Sequence, residues 1–489
     1  MLAFGFASTH PVTIRQILDF TRWEVSLAKD RSRRPHRLTS VQFDQVRYLL
    51  NFSRLTRFRP GSARIPLVSG AIRPEADVSQ QITNLRNRVH QIFSVAFPMG
   101  RIRYGVLIKG VHELWKDMAQ LRGQVLRHHS DEFSEEELDA EICQKTWVSV
   151  AGGGGGAGYV YLGAYMEMHE AGLIPGYIVG SSIGSIMGLL RARNRIPDFQ
   201  QILDLSYSLR RDSLLRVISM KRRYGMPGLF RLYLRGGISP HFSGSGGTPM
   251  RLTDLEIPYE AVVAGIPRGA LRESMDDLDR DFYPYAGQVP AWKIRAKIAE
   301  QFVKLMGYLN PLLCKEILIG STPLTRDFDA VDAVGFSSAV PGIIHYDVTR
   351  EDPRMHDILS SLFRQEDLAA LVDGGVANNV ACRTAFQRVM EGNIGTRNAL
   401  IIGFDCFAPK ILQDQHLYPI QAVVQLQVAL NRPYAATIIN FPRTLSPFNV
   451  MPSRVEIDWS VDEGRRVIGR ELEWIRLIMS PAKFVREIF

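Results

Sequence analysis

Cysteine is scarce in this chain. Cys143, Cys314, Cys382 and Cys406 are spread over 489 residues, with no CxxC pair and no clustered histidine. That spacing indicates neither a disulfide framework nor a zinc site, so no metal is expected, and it fits a reducing compartment. Long apolar runs are also missing. A membrane-crossing helix needs about 20 apolar residues. The two uncharged stretches that come near this, Thr146–Met166 and Ala171–Leu190, are rich in glycine and serine, and the second contains Pro175. Both read better as strand–turn–helix units in an α/β core. The opening MLAFGFASTHPVTIRQ has no basic n-region and only a short apolar run, so no secretory signal is read. The expected setting is cytoplasmic, with peripheral membrane contact left open.

Acid is short at the N-terminal end. Residues 1–130 carry 21 Lys/Arg against 8 Asp/Glu, and the whole chain has a net charge of +9. A basic arm can meet the phosphates of nucleic acid or of an anionic membrane; a solvated helical face explains it as well. With 46% hydrophobic and 22% charged residues, the composition is that of a globular protein. The length suggests about two or three units.

Residues 1–140 read as a mainly helical, basic region, with apolar residues at helical spacing over Ile82–Phe97 and Val106–Val125. Lys29–Arg37 reads as a loop. Ser134 and Glu137 form a capping box that opens a short helix. The grammar then changes. Thr146–Ala151 reads as a buried strand, a glycine run follows, and Tyr159–Glu170 reads as a helix. Tyr177–Gly180 is a second strand, and an apolar helix runs to Arg193. This βα-βα order predicts a parallel sheet with helices on both faces. Ala261–Ala264, Leu368–Val372 and Leu400–Phe404 read as further strands, residues 320–346 as turn-rich, and Asp462–Met479 as an amphipathic helix.

Three features could carry chemistry. Gly180-Ser181-Ser182-Ile183-Gly184 is a GxSxG between an apolar strand and an apolar helix, as a nucleophile elbow requires. The run Gly152–Gly156, Ala157, Gly158 contains a literal GxGxxG. However, the second strand ends in Gly180 and serines rather than an acid, so the dinucleotide reading loses its discriminating residue. A Walker A loop would need Lys where Tyr159 stands. An oxyanion hole or a tight packing turn remain. Asp373-Gly374-Gly375 ends an apolar run, which sets Asp373 at the carboxyl end of a strand, where open α/β sheets hold their sites. His241, His345, His356 and His416 stand in no recognisable catalytic setting.

In this order the three features resemble the patatin-like phospholipase family. The shared text is Gly153-Gly154-Gly155-Gly156-Ala157-Gly158 followed by LGAY, then Gly180–Gly184, then SSAVPG at 337–342 and VDGGVANN at 372–379. The likeness covers roughly residues 146–405 and implies a catalytic domain there, with 1–140 before it and 406–489 as an extension packed on it. It implies a lipid acyl hydrolase of phospholipase A type that uses no cofactor. Ser182 would be the nucleophile and Asp373 its base. Gly153, Gly154, Gly155 and Gly156 would line the oxyanion hole, and Gly158, Gly180, Gly184, Gly374 and Gly375 would be motif glycines. The substrate would be a phospholipid or another acyl lipid; no nucleic acid is expected, and no protein partner is indicated. One departure stands out: the family usually has Arg or Lys where this chain has Ala157. The backbone donors survive that change; the cation's anchoring and electrostatic contribution do not carry over.

Two rival readings follow. One keeps the fold as a catalytically weak lipid-binding or regulatory protein, motivated by Ala157. The other, a nucleotide- or nucleic-acid-binding protein, leaves Ser182 and Asp373 idle. Acyl transfer to an acceptor other than water would use the same residues as hydrolysis. The apolar, basic stretch Arg210–Arg235 fits either an anionic membrane surface or a helix packed on the core.

Overall fold

The structure, a computed structural model, describes residues 10–61, 74–209, 214–216, 223–270, 313–408 and 418–485. Among the described residues the N-terminal region forms five α-helices: α1 Pro11–Arg33, α2 Ser40–Arg54, α3 Ser79–Ala96, α4 Tyr104–His128 and α5 Glu135–Cys143. Their ends follow local chemistry. Pro11 opens α1, and Thr39 with Gln42 and Ser134 with Glu137 close reciprocal capping boxes on α2 and α5. The expected loop at Lys29–Arg37 is shorter than the sequence suggested. α1 continues to Arg33, with Arg31 and Arg33 in its last turn, where cations favour the helix dipole.

Among the described residues the core sheet has seven strands: β1 Thr146–Ala151, β2 Tyr177–Ser181, β3 Tyr259–Pro267, β4 Lys315–Ile319, β5 Leu368–Asp373, β6 Ala399–Asp405 and β7 Thr437–Asn440. The run β3-β2-β1-β6-β7 is parallel throughout, while β4 and β5 both pair antiparallel with β3. The sheet is therefore mixed, with parallel pairs dominant. Connecting helices are α6 Val160–Glu170, α7 Ile183–Ala192, α8 Phe199–Ser208, α9 Leu234–Ile238, α10 Ala330–Ser337, α11 Pro353–Glu366 and α12 Cys382–Met390; α13 Tyr418–Asn431 and α14 Arg454–Met479 follow. α10 lies inside the stretch read as turns, because it is buried all round, with even Asp332 and Ser337 inside, and so gives no amphipathic period; all eight residues are buried.

Both faces of the sheet are covered. Along β1, Trp147 and Ala151 join one hydrophobic cluster, Val148 and Val150 the other. This is the period-2 alternation of a strand buried on both sides. The first cluster also takes in Phe20, Tyr48, Phe52 and Leu114 of the N-terminal helices, and Ile457, Ile468 and Ile475 of α14. All three regions of the chain thus share one core. α14 crosses α6 at two glycines: a Cβ on Gly163 would run into the Val461 carbonyl, and one on Gly464 into the Val160 carbonyl.

A buried polar knot fastens the N-terminal helices to the start of β1. Lys145 Nζ donates to Asn51 Oδ1 at 2.7 Å and Asn398 Oδ1 at 2.6 Å, and lies 3.0 Å from Glu24 Oε2. Arg47 Nε lies 3.2 Å from Glu24 Oε1. Burial pulls the Lys145 pKa down to about 7, with Glu24 opposing the fall.

Arg210–Arg235 is described only in part. Leu215–Arg216 and Gly228–Leu232 form an antiparallel ladder, joined in parallel by Gly342–His345. Leu214, Leu232 and Arg231 are buried, and Arg235 pairs with the buried Asp329 and Asp332. The described part is strand at Leu215–Arg216 and Gly228–Leu232 and helix at Leu234–Ile238; Arg231 is turned inward, Arg223 is exposed, and residues 210–213 and 217–222 lie outside the described residues. Among the described residues, no helix is long and apolar enough to cross a membrane.

Candidate active site

The pairing along β3 assembles the site. β2 lies beside its first half, with Ser181 against Val262; β5 lies beside its second half, with Asp373 against Val263. β4 spans Ala261–Gly265 and so occupies the opposite edge. β2 and β5 therefore share one edge and meet end to end, their carboxyl ends pointing at each other. Two residues far apart in sequence come to face consecutive residues of one strand.

Ser182 sits just beyond β2 with φ 52° and ψ −130°. A side chain rarely adopts such a backbone, and the strain costs about 1–3 kcal/mol. Neighbours hold it. The Ser182 N–H donates to Ser337 Oγ at 3.0 Å, and the Ser337 hydroxyl donates to the Val262 carbonyl at 2.6 Å. The Ser182 carbonyl accepts from the Ser185 N–H and hydroxyl at 2.8 and 2.6 Å. The flanking glycines leave room for the turn: a Cβ on Gly180 would lie 2.5 Å from Ser185 Cα, and one on Gly184 would strike the Ala151 carbonyl. α7 starts at Ile183, so its positive dipole end faces Ser182.

Asp373 is buried. Its Oδ1 accepts the Gly375 N–H at 2.8 Å, while Oδ2 has no hydrogen-bond partner among the described residues. Burial pushes its pKa up to about 6; the nearby Ser182 hydroxyl and the Gly375 N–H oppose the rise only in part. Gly374 is required beside it, since a Cβ there would collide with the Val262 carbonyl.

The glycine loop closes over Ser182. A Cβ on Gly153 would lie 2.7 Å from Ser182 Cβ. The Gly153 N–H donates to Asn379 Oδ1 at 2.8 Å, and the Gly156 N–H to the Pro447 carbonyl at 3.0 Å. Gly154 and Gly155 have φ 158° and 54°, and their N–H groups make no hydrogen bond among the described residues. Gly158 packs on Ile183, 2.4 Å from its would-be Cβ. Ala157 is buried. The backbone of Pro447 and Asn449 wedges against Gly155 and Gly156. The segment before α14 thus holds the loop.

Asn379, Ser337 and the Ser446–Asn449 turn were not singled out from the sequence. The first two stood inside VDGGVANN and SSAVPG, but only proximity to Gly153 and Ser182 reveals what they do. No histidine among the described residues bonds Ser182 or Asp373. His345 Nδ1 faces the Met226 carbonyl at 2.8 Å and His356 faces Tyr224; His416 lies outside the described residues. A surface cavity of about 360 Å³ lined by Asp198, Gln201, Asp204, Leu205 and His241 includes neither Ser182 nor Asp373. No group of three or more His, Cys, Asp or Glu among the described residues could hold a metal ion.

No curated protein matches the chain. Residues 149–386 match the family model for patatin-like phospholipase. The match begins inside β1, ends inside α12, and takes in the glycine loop, Ser182, Asp373 and Asn379. Residues 149–386 of this chain are a patatin-like phospholipase domain.

Proposed function

We propose that the protein is a lipid acyl hydrolase working through a Ser182–Asp373 dyad, with residues 146–405 as its catalytic unit. One observation carries the reading: a strained serine and a buried aspartate with an unpaired oxygen meet end to end on β3. In the first step Asp373 Oδ2 takes the Ser182 hydroxyl proton as Oγ attacks the ester carbonyl. The raised pKa makes Asp373 a better base than an ordinary carboxylate while leaving it ionised above pH 6. The tetrahedral oxyanion forms against the Gly154 and Gly155 N–H groups. The four expected donors thus narrow to two, because Asn379 and Pro447 engage Gly153 and Gly156. A pre-aimed donor of this kind contributes about 3–4 kcal/mol. The alcohol leaves with the proton from Asp373. Water, deprotonated by the same carboxylate, then releases the fatty acid from Ser182.

Fatty-acid release from mixed anionic phospholipid vesicles tests this. The wild type should be active and labelled by a fluorophosphonate. Ser182→Ala and Asp373→Asn should be folded and silent. A folded, labelled wild type that releases no fatty acid would move the lipid-binding reading to first place.

A further inference from the structure

The N-terminal region carries the basic excess, but the fold divides its cations. Arg47, Arg86 and Arg122 are buried against acids or carbonyls. A different set collects at the turn between α3 and α4. Between Asp77 and Glu113 the sequence has no acidic residue. Arg101, Arg103 and Lys109 are exposed there, and neither arginine has an ion-pair partner among the described residues.

Apolar side chains stand beside them. Met99 is 104% exposed, Val95 51% and Val106 37%. The turn is built rather than loose: the Arg101 N–H donates to the Pro98 carbonyl at 2.9 Å, and the Arg103 N–H to the Ala96 carbonyl at 2.8 Å. Met99 itself is held with φ 48° and ψ 37°, a left-handed backbone that a methionine seldom adopts. The fold therefore presents a large apolar side chain at the end of a helical hairpin, with the exposed Arg101 and Arg103 next to it in the chain.

We infer that the α3–α4 turn docks the protein on an anionic lipid surface. Met99, Val95 and Val106 enter the headgroup layer, and Arg101, Arg103 and Lys109 meet its phosphates. Exposed apolar side chains amid cations are the pattern of interfacial binding, where burial and charge act together. A polynucleotide would use the cations and leave Met99 without a role. The inference rests on the lipid-hydrolase reading for the reason such a surface is met at all.

The test is co-sedimentation of the full chain with vesicles of phosphatidylcholine alone or mixed with phosphatidylglycerol. The wild type should favour the anionic vesicles. Arg101→Glu with Arg103→Glu should weaken partitioning at least about tenfold, since each cation near the surface contributes on the order of 1 kcal/mol. Met99→Asn should weaken it several-fold; asparagine tolerates the left-handed backbone, so misfolding does not explain the loss. Hydrolysis of a soluble short-chain ester should stay unchanged in both variants. Equal binding by variants and wild type, equal binding to both vesicles, or displacement of the vesicles by duplex DNA would overturn the inference. If the pattern holds but no ester is cleaved, the hydrolase reading fails and the docking surface stands.

Discussion

Asn379 accepts the Gly153 N–H at 2.8 Å and so ties the glycine loop to the loop that follows Asp373. Its own N–H donates to Gln427 Oε1 at 3.0 Å, which brings α13 into the same brace. Asn379→Ala leaves the buried Gly153 N–H unpaired, at a cost of about 1–3 kcal/mol. The expected result is a fall in kcat of roughly ten- to a hundredfold with KM little changed, because the loop's aim is lost rather than the substrate's binding surface. Steady-state kinetics on a soluble ester, beside a melting curve that shows a folded variant, checks this. An unchanged kcat would remove Asn379 from the positioning of the loop.

The Asp373 pKa sets two pH dependences of opposite benefit. As base it must be ionised, so kcat/KM should rise about tenfold per pH unit below 6 and level off above it. For stability the folded pKa lies above the unfolded value of 3.8. Below about pH 4 both states hold the proton and nothing is lost. From there to about pH 6 the unfolded chain ionises first, so stability falls, and at neutral pH the buried charge costs roughly 3 kcal/mol. Asp373→Asn should therefore abolish activity yet raise the urea midpoint at pH 7.5 and leave it unmoved at pH 4. A variant destabilised at both pH values would contradict the assigned burial cost.

Gly155 combines φ 54° with a wedge of Pro447 backbone where a Cβ would stand. Gly155→Ala should displace the loop and remove an oxyanion donor, lowering kcat about a hundred- to a thousandfold. Gly464→Val, far from the site, should act through the α6–α14 crossing, destabilising by about 1–3 kcal/mol through overpacking. Comparing kcat with denaturation midpoints for the two variants separates loop geometry from stability. Full activity in Gly155→Ala would show that the aim of the loop does not depend on the close approach of Pro447 to Gly155.

Glu24 is the buried anion facing Lys145, Arg47 and Arg54. Burial opposes its ionisation, but these three cations outweigh it and hold its carboxyl below the usual range. Glu24→Gln would leave buried cations without their counter-charge, and about 3–5 kcal/mol of destabilisation is expected. Chemical denaturation measures it. A loss under 1 kcal/mol would mean that the asparagines and backbone carbonyls around the knot suffice.

Much of the site could be read from the chain because its chemistry is local. GxSxG needs small residues on both sides of one strained serine, and that need shows within five positions. The capping boxes of α2 and α5 are equally short-range. α10 was hidden for the opposite reason: a helix buried all round has no polar face to reveal its period. Within Arg210–Arg235, Arg235 answers two buried aspartates contributed from more than ninety residues away, a pairing that no local pattern announces.

The sequence by itself determined five of the core strands (not Lys315–Ile319 or Thr437–Asn440), the elbow around Ser182, the glycine run and the position of Asp373 at a strand's carboxyl end; each rests on near neighbours. Only the tertiary structure decided that β2 and β5 share one edge of β3. That edge is chosen by strand pairing across the whole core, and it brings Ser182 to Asp373. Tertiary structure likewise decided which loop N–H groups stay free, because Asn379 and Pro447 reach Gly153 and Gly156 from distant segments that chain folding alone carries there.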